Sequence, residues 1–242
     1  MMPTSGVLET WTSLGGRLLD LLFPARCVNC KQVNGSLCSA CLATVQTIST
    51  PTCVRCGHPL RTAHAVCIQC KTHPLQITRI QSAVWHDGAI REAIHALKYN
   101  RRRDVARPLA QFLAEKISAS DVTFDLITSV PLHPVREQQR SYNQAELLAQ
   151  NAAALQKLPY RNVLRRTRET ADQIGLNGIA RRTNVANAFI AEPSLVQDKT
   201  VLLIDDVSTT GATLDACAIA LFQARARAVY GMTVARPRTR SF

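Results

Sequence analysis

Apolar positions change character along this chain, and the change falls near residue 77. From there they follow the two periods of regular structure. Ile77 to Trp85 reads as a strand, whereas in Gly88 to Tyr99 the apolar positions Ile90, Ile94 and Leu97 share one helical face. Val105 to Ile117 reads as a second helix, Phe124 to Val130 as a buried strand closed by Pro131, and Tyr142 to Leu158 as a long helix rich in alanine and leucine. Thr200 to Ile204 is an apolar run without alternation, which suits a strand covered on both faces. A helix-forming segment from Leu214 to Ala226 follows, and Val229 to Val234 reads as the last strand. Strands alternating with helices predict an α/β fold, a mainly parallel sheet flanked by helices.

Between Arg165 and Phe189 no period holds. A connection of this length in a compact domain is either a lid over a site or a solvated excursion. In the first case Thr170, Gln173, Arg181 and Asn184 are its contact residues.

Upstream of residue 77 cysteine and proline set the pattern. Leu14, Leu18, Leu21 and Leu22 fall near one face of a short amphipathic helix that Pro24 ends. Residues 25–76 form a cysteine-rich module broken by Pro51, Pro59 and Pro74, so three regions are expected: 1–24, 25–76 and 77–242. Eight of the nine cysteines form four CxxC pairs, Cys27/Cys30, Cys38/Cys41, Cys53/Cys56 and Cys67/Cys70. Each CxxC turn presents two thiolates on one side of a knuckle, and two knuckles complete a tetrahedral zinc site. Four such pairs in series do not fit a thioredoxin-like redox motif, and nothing in the chain calls for an oxidising compartment. Two structural zinc ions are therefore expected, with no open position for substrate. Sequential pairing closes the shortest loops, while an interleaved pairing stays open, and His58, His64 and His73 lie close enough to compete as ligands. Cys217, on the helix after residue 213, reads as a small buried hydrophobe.

Composition adds charge to this picture. An apolar fraction of 46% and a mean hydropathy of -0.03 describe a soluble globular protein. No apolar run approaches the roughly 18 residues that span a bilayer. The start lacks a basic leader and a cleavage site, so a cytoplasmic protein is expected. The net charge is +12, and the excess is clustered. Lys98, Arg101, Arg102, Arg103 and Arg107 form one block; Arg161, Arg165, Arg166, Arg168, Arg181 and Arg182 another; Arg236, Arg238 and Arg240 make the tail basic. Each arginine alone is a solvated surface residue. Together they suit a polyanion, and Lys98, Arg101, Arg102 and Arg103 are the candidate nucleic-acid contacts. Aromatic residues make up 5% of the chain, which argues against a broad stacking platform.

The chemistry concentrates where the apolar run Val201 to Ile204 meets Asp205 and Asp206. After Val207, the turn Ser208, Thr209, Thr210, Gly211, Ala212, Thr213 has no bulky side chain, and a helix follows. Backbone N–H groups of such a turn and the positive end of the helix can cradle a phosphate. The two carboxylates suit other partners: sugar hydroxyls as donors, or a divalent metal. Ligands of parallel sheets bind beyond the carboxyl ends of the strands. The segment Val130, Pro131, Leu132, His133, Pro134 ends a strand on the same rim, and Arg136 and Arg140 beyond it could meet a diphosphate. His133 reads as a constrained turn residue or a proton-transfer group.

The stretch from Val201 to Thr213 resembles the phosphoribosyl pyrophosphate (PRPP) loop of type I phosphoribosyltransferases. That resemblance implies that Asp205 and Asp206 face the ribose hydroxyls as the catalytic candidates. It also implies that Thr209 to Thr213 wrap the 5′-phosphate and that Mg²⁺ accompanies PRPP. From residue 17 to 235 the chain resembles the ComF family, which joins an N-terminal double zinc ribbon to a phosphoribosyltransferase-like domain. The shared features include Phe23-Pro24 before Cys27, Leu97-Lys98-Tyr99, Val130 to Pro134, Arg140 to Gln144, Thr167 to Thr170 with Gln173, and Arg181 with Asn184. The family usually has glycine and phenylalanine where this chain has Ser141 and Tyr142. Membership implies a role in DNA uptake during natural transformation, with single-stranded DNA and proteins of the uptake machinery as partners. Two other functions stay open: a phosphoribosyltransferase of nucleotide metabolism with a purely structural zinc module, and a non-catalytic sensor of PRPP or nucleotides. No acceptor base can be read from the chain.

Overall fold

A computed structural model describes residues 25–49, 51–167 and 188–238. The expected helix within residues 1–24 and the contact residues Thr170, Gln173, Arg181 and Asn184 lie outside them.

The apolar runs assemble into a four-stranded sheet whose neighbouring strands are all parallel. In chain order its strands are β1 (Arg79–Trp85), β2 (Leu126–Ser129), β5 (Thr200–Val207) and β6 (Ala228–Arg236). Their order across the sheet is β1-β6-β5-β2. Two short strands, β3 (Leu164–Arg166) and β4 (Phe189–Ala191), form a separate antiparallel pair. Among the described residues the α-helices are α1 (Ser39–Leu42), α2 (Ile68–Thr72), α3 (Gly88–Tyr99), α4 (Ala106–Ser118), α5 (Pro134–Arg140), α6 (Gln144–Gln156), α7 (Pro193–Val196) and α8 (Ala212–Gln223). The expected α/β class, a mainly parallel sheet flanked by helices beside a cysteine-rich N-terminal module, is the class observed.

Strand alternation sends successive residues of β5 to opposite faces. Leu202 and Ile204 enter a core built with α3, α4 and α6, through residues such as Leu97, Leu113 and Leu148. Val201 and Leu203 enter a second core with Leu214, Cys217 and Leu221 of α8. Burial on both faces explains why the run showed no alternation. Each core also takes in one set of cysteines: Cys27, Cys38 and Cys41 join the first, and Cys53, Cys56, Cys67 and Cys70 the second. The chain between the two sets covers the β1 edge. Thr47 bridges Val84 in antiparallel sense, and the Trp85 N–H donates to Gln46 O at 3.1 Å. That edge is therefore not left as an open template for pairing.

Three differences from the sequence reading have physical causes. β5 runs on to Val207, so Asp205 and Asp206 lie within the strand, where Asp205 pairs in register with Thr233. Helix α5 buries none of its residues, so no apolar period announced it; its start signals are Pro134 at the first position and His133 as cap. β3 and β4 have three residues each, too few to show alternation.

Candidate functional site

The carboxyl ends of the parallel strands open on one rim, and β5 places both acids there. The Asp206 carboxylate, 3% exposed, turns to α3, where the Lys98 Nζ lies 2.9 Å from its Oδ1. Burial works against the Lys98 ammonium, but the Asp206 carboxylate, with Asp205 behind it, brings the net effect to a raised lysine pKa. Asp205 stands on the other side, toward Cys217 of α8 and Arg166 of β3. Its Oδ1 accepts from the Asp206 N–H at 2.8 Å. Burial first, and then the Asp206 charge, push the Asp205 carboxyl up to about 7. Asp206 Oδ2 and Ser208 Oγ are buried with no hydrogen-bond partner among the described residues. Buried oxygens are rarely left so unless something else is to be bound there.

The loop after β5 is tightly held. The Ser208 N–H donates to Ala235 O of β6 at 3.1 Å, and the Ala212 N–H donates to Thr210 Oγ1 at 3.3 Å. Gly211, at φ +81, caps α8 in the left-handed region, and a Cβ there would stand 2.6 Å from Ile80 Cδ1. The backbone angle is what favours glycine here, and a side chain would also push the end of Ile80 aside. The loop and the start of α8 line a small depression with Asp205, Val207 and Thr213 on its wall.

The segment after β2 sits beside this loop, since the Val130 N–H donates to Ile204 O at 3.0 Å. Asn143 fixes it: its Nδ2 donates to Val130 O at 2.9 Å, while its Oδ1 accepts from the Ala145 N–H at 3.0 Å and caps α6. Pro131 and Leu132 lie on that rim segment, and His133 Nδ1 accepts from the Val135 N–H at 3.4 Å. Of its two readings, the turn-residue one describes what His133 does here. Arg136 and Arg140 both sit on α5; Arg140 donates to Gln144 Oε1 at 2.9 Å and lies over the Tyr99 ring at 5.1 Å. Ser141 adopts φ 65, the left-handed geometry that the family glycine would take freely.

The cysteines gather in sequence order, Cys27, Cys30, Cys38 and Cys41 in one group and Cys53, Cys56, Cys67 and Cys70 in the other. Within each group the sulfur atoms all lie within 4.8 Å of one another. Cys27 to Cys41 measures 3.7 Å, and Cys30 to Cys38 and Cys56 to Cys67 measure 3.6 Å. A tetrahedron with Zn–S bonds of about 2.3 Å has edges of about 3.8 Å, so both groups fit zinc. The Cys67 N–H donates to Cys53 Sγ and the Asn29 Nδ2 to Cys41 Sγ, each at 3.3 Å, as expected around thiolate ligands. The histidines are not part of either group.

The basic block divides. The Lys98 ammonium turns inward to Asp206, so its placement with the nucleic-acid contacts does not match the structure; the buried carboxylate outcompetes solvent for it. Arg102 bonds Asp104 in a fork and donates to Arg26 O at 3.0 Å. Arg103 donates to Ser141 O at 2.7 Å and covers the Tyr142 ring at 4.5 Å. Arg101 takes φ 53 at the tip of the turn and is exposed. Beside them Tyr99 is 56% exposed, its ring 4.9 Å from that of His95.

Sequence reasoning missed three residues in these roles. Lys98 read as part of a charge cluster, and Tyr99 as the end of a helix. Arg236 read as tail charge, yet it is 2% exposed and donates to Thr209 O at 2.6 Å and to Cys56 O at 2.7 Å. The signal available for Arg236 was its position at the carboxyl end of the last strand, on the ligand-binding rim.

A family model described as a double zinc ribbon domain matches residues 18–71. Over 219 residues the chain is 32% identical to DNA utilization protein YhgH of Escherichia coli strain K12, covering 86% of this chain and 96% of that protein. It is 30% identical to Competence protein F of Haemophilus influenzae, with 80% and 89% covered, and 25% identical to Competence protein ComFC of Bacillus subtilis, with 83% and 84% covered. Among solved structures, B. subtilis glutamine phosphoribosylpyrophosphate amidotransferase in complex with ADP and GMP is similar over 57% of this chain and 30% of that one. Its 21% identity and TM-score of 0.41 are too low to support an argument about function. The long matches to YhgH and Competence protein F, together with the paired cysteine groups, show that this chain belongs to the ComF family of competence and DNA utilization proteins.

Proposed function

We propose that this protein binds PRPP with Mg²⁺ at residues 205–213 and single-stranded DNA on the adjoining arginine-rich surface, as a cytoplasmic factor in DNA uptake during natural transformation. The names of its relatives, DNA utilization protein and competence protein, support the setting. No helix among the described residues is long and apolar enough to cross a membrane. The observation that carries the PRPP half is the pair of buried oxygens, Asp206 Oδ2 and Ser208 Oγ, that have no hydrogen-bond partner among the described residues, beside a glycine-capped helix start. Loop amides and the positive end of α8 hold the 5′-phosphate. Asp205 and Asp206 take the ribose hydroxyls, with Pro131 and Leu132 on the neighbouring rim and Arg136 and Arg140 on the diphosphate side. Mg²⁺, when bound with PRPP, neutralises the pyrophosphate charge. Until then Lys98 compensates Asp206, and Asp205 is held partly protonated by its raised pKa.

Calorimetry with PRPP, with and without Mg²⁺, tests this half. Asp205→Asn with Asp206→Asn should weaken binding about 100-fold, the scale of two lost charge-assisted contacts. A parent protein that does not bind PRPP would overturn the reading. Pyrophosphate release in the presence of candidate bases asks the separate question of turnover, and release with one base would favour a phosphoribosyltransferase of nucleotide metabolism.

For the DNA half the supporting observation is an exposed Tyr99 flanked by Arg140, with Arg101 and Arg103 on the following turn. A ring that stacks on a base and cations that meet its phosphates suit a single strand.

A further inference from the structure

The two cysteine groups are attached to different parts of the molecule. The first is tied to the turn after α3: Arg102 donates to Arg26 O at 3.0 Å, and Ser36 Oγ donates to Asp104 O at 3.1 Å. The second is tied to the loop after β5 by three separate bridges.

Arg236 is the most direct. Its guanidinium is buried at the end of β6, with Nη1 donating to Cys56 O and Nη2 to Thr209 O. A buried cation needs a compensating charge. The sulfur atoms of Cys56, Cys67, Cys53 and Cys70 supply part of it, although burial has the larger effect on the arginine. Four thiolates around one zinc ion leave a net double negative charge, so metal-loaded cysteines still balance Arg236. The second bridge is Ile80. Its N–H donates to Arg55 O inside the Cys53/Cys56 turn at 2.8 Å. A Cβ on Gly57 would stand 2.8 Å from Ile80 O, and the same residue's Cδ1 fills the space that a Gly211 Cβ would need. The third is Asp215 of α8, whose Oδ1 accepts from the N–H groups of Gln76 and Ile77 at 2.6 and 2.8 Å. These residues lie just beyond Cys70, where the chain leaves the second group.

We infer that the metal site of Cys53, Cys56, Cys67 and Cys70 positions the phosphate loop through Arg236, so that anion affinity at residues 208–213 depends on metal bound there. The affinity part rests on the PRPP reading; the mechanical part does not. Arg236 is a positioning residue: it meets the loop through the Thr209 backbone carbonyl and occupies none of the loop's N–H groups.

The test uses the full zinc-loaded chain and two readouts. Arg236→Gln should keep two zinc ions by native mass spectrometry while amide exchange at residues 209–213 speeds up about tenfold and PRPP affinity falls by a similar factor, the scale of one charged hydrogen bond. Arg236→Lys keeps the charge but cannot form the same fork, and should give an intermediate exchange rate. If Arg236→Gln does not fold, zinc is withdrawn stepwise from the parent, and alkylation identifies which cysteines are freed. Molecules alkylated at Cys53, Cys56, Cys67 and Cys70 should lose loop protection while residues 126–129 of β2 keep theirs. Unchanged loop exchange in either experiment overturns the inference, as does equal loosening of β2, which marks a general loss of stability. Because exchange is read without PRPP, a parent that fails to bind PRPP removes the proposed ligand and leaves the metal-to-loop coupling standing or falling alone.

Discussion

At the scale of single residues the site is a problem of buried charge. Lys98 and Asp206 form an ion pair that is shielded from water, and such a pair is costly to break from one side. Lys98→Met should destabilise the fold by about 3–5 kcal/mol at neutral pH, because it strands a buried carboxylate. Adding Asp206→Asn should restore most of the loss, and urea denaturation of both variants measures the coupling. Asp205 behaves in the opposite sense. Its folded-state pKa is raised, so the folded protein holds that proton more tightly than the unfolded chain does. The resulting stability is fully present below the ordinary carboxylate range and is lost as pH rises through about 7. Asp205→Asn removes the penalty: it should be more stable than the parent at pH 8, by on the order of 1 kcal/mol or more, and the gap should close below pH 4. Melting curves across that range check the sign. Ser141 is a simpler case, a left-handed residue without the freedom of glycine. Ser141→Gly should raise stability by about 0.5–1 kcal/mol, read as a higher urea midpoint with an unchanged slope.

At the scale of elements, the rim depends on how helices begin. Asn143 is both the cap of α6 and the anchor of Val130, so one side chain sets a helix start and the course of the neighbouring loop. Asn143→Ala should cost about 1–2 kcal/mol, as a lost cap does, and should also weaken PRPP binding, which a cap remote from the site would not do. Calorimetry beside thermal melting separates the two effects. The same elements show what a sequence discloses. Helix α3 was legible to the residue because Ile90, Ile94 and Leu97 face a core and Tyr99 ends the run. The loop from Ser208 to Thr213 was legible because small residues there serve only close approach. Helix α5 was not, since it buries nothing, and neither were β3 and β4, whose pairing joins residues 164–166 to 189–191 across a long connection. The Lys98–Asp206 pair and the Arg236–Cys56 bond join residues more than a hundred positions apart, and no local pattern encodes that separation.

At the scale of the whole molecule, the two cysteine groups join the cores on opposite faces of one sheet, and the basic turn lies with the first. The first knuckle steadies the turn that carries Arg102 and Arg103, next to the exposed Tyr99; the second braces the loop after β5. Charge alone would draw any polyanion to the first surface, with affinity falling steeply as salt displaces the released counterions. Stacking adds a term that salt does not screen. Parent protein and variants titrated with a labelled oligothymidylate, over a salt series, separate these contributions. Arg101→Ala should lower affinity and flatten the salt dependence by about one phosphate contact. Tyr99→Ala should cost about 1–3 kcal/mol at every salt concentration with the slope unchanged. A Tyr99→Ala protein that binds as the parent does would place the strand elsewhere on the basic surface. Loss of slope in both variants alike would mean that the ring matters only for holding Arg140 in place.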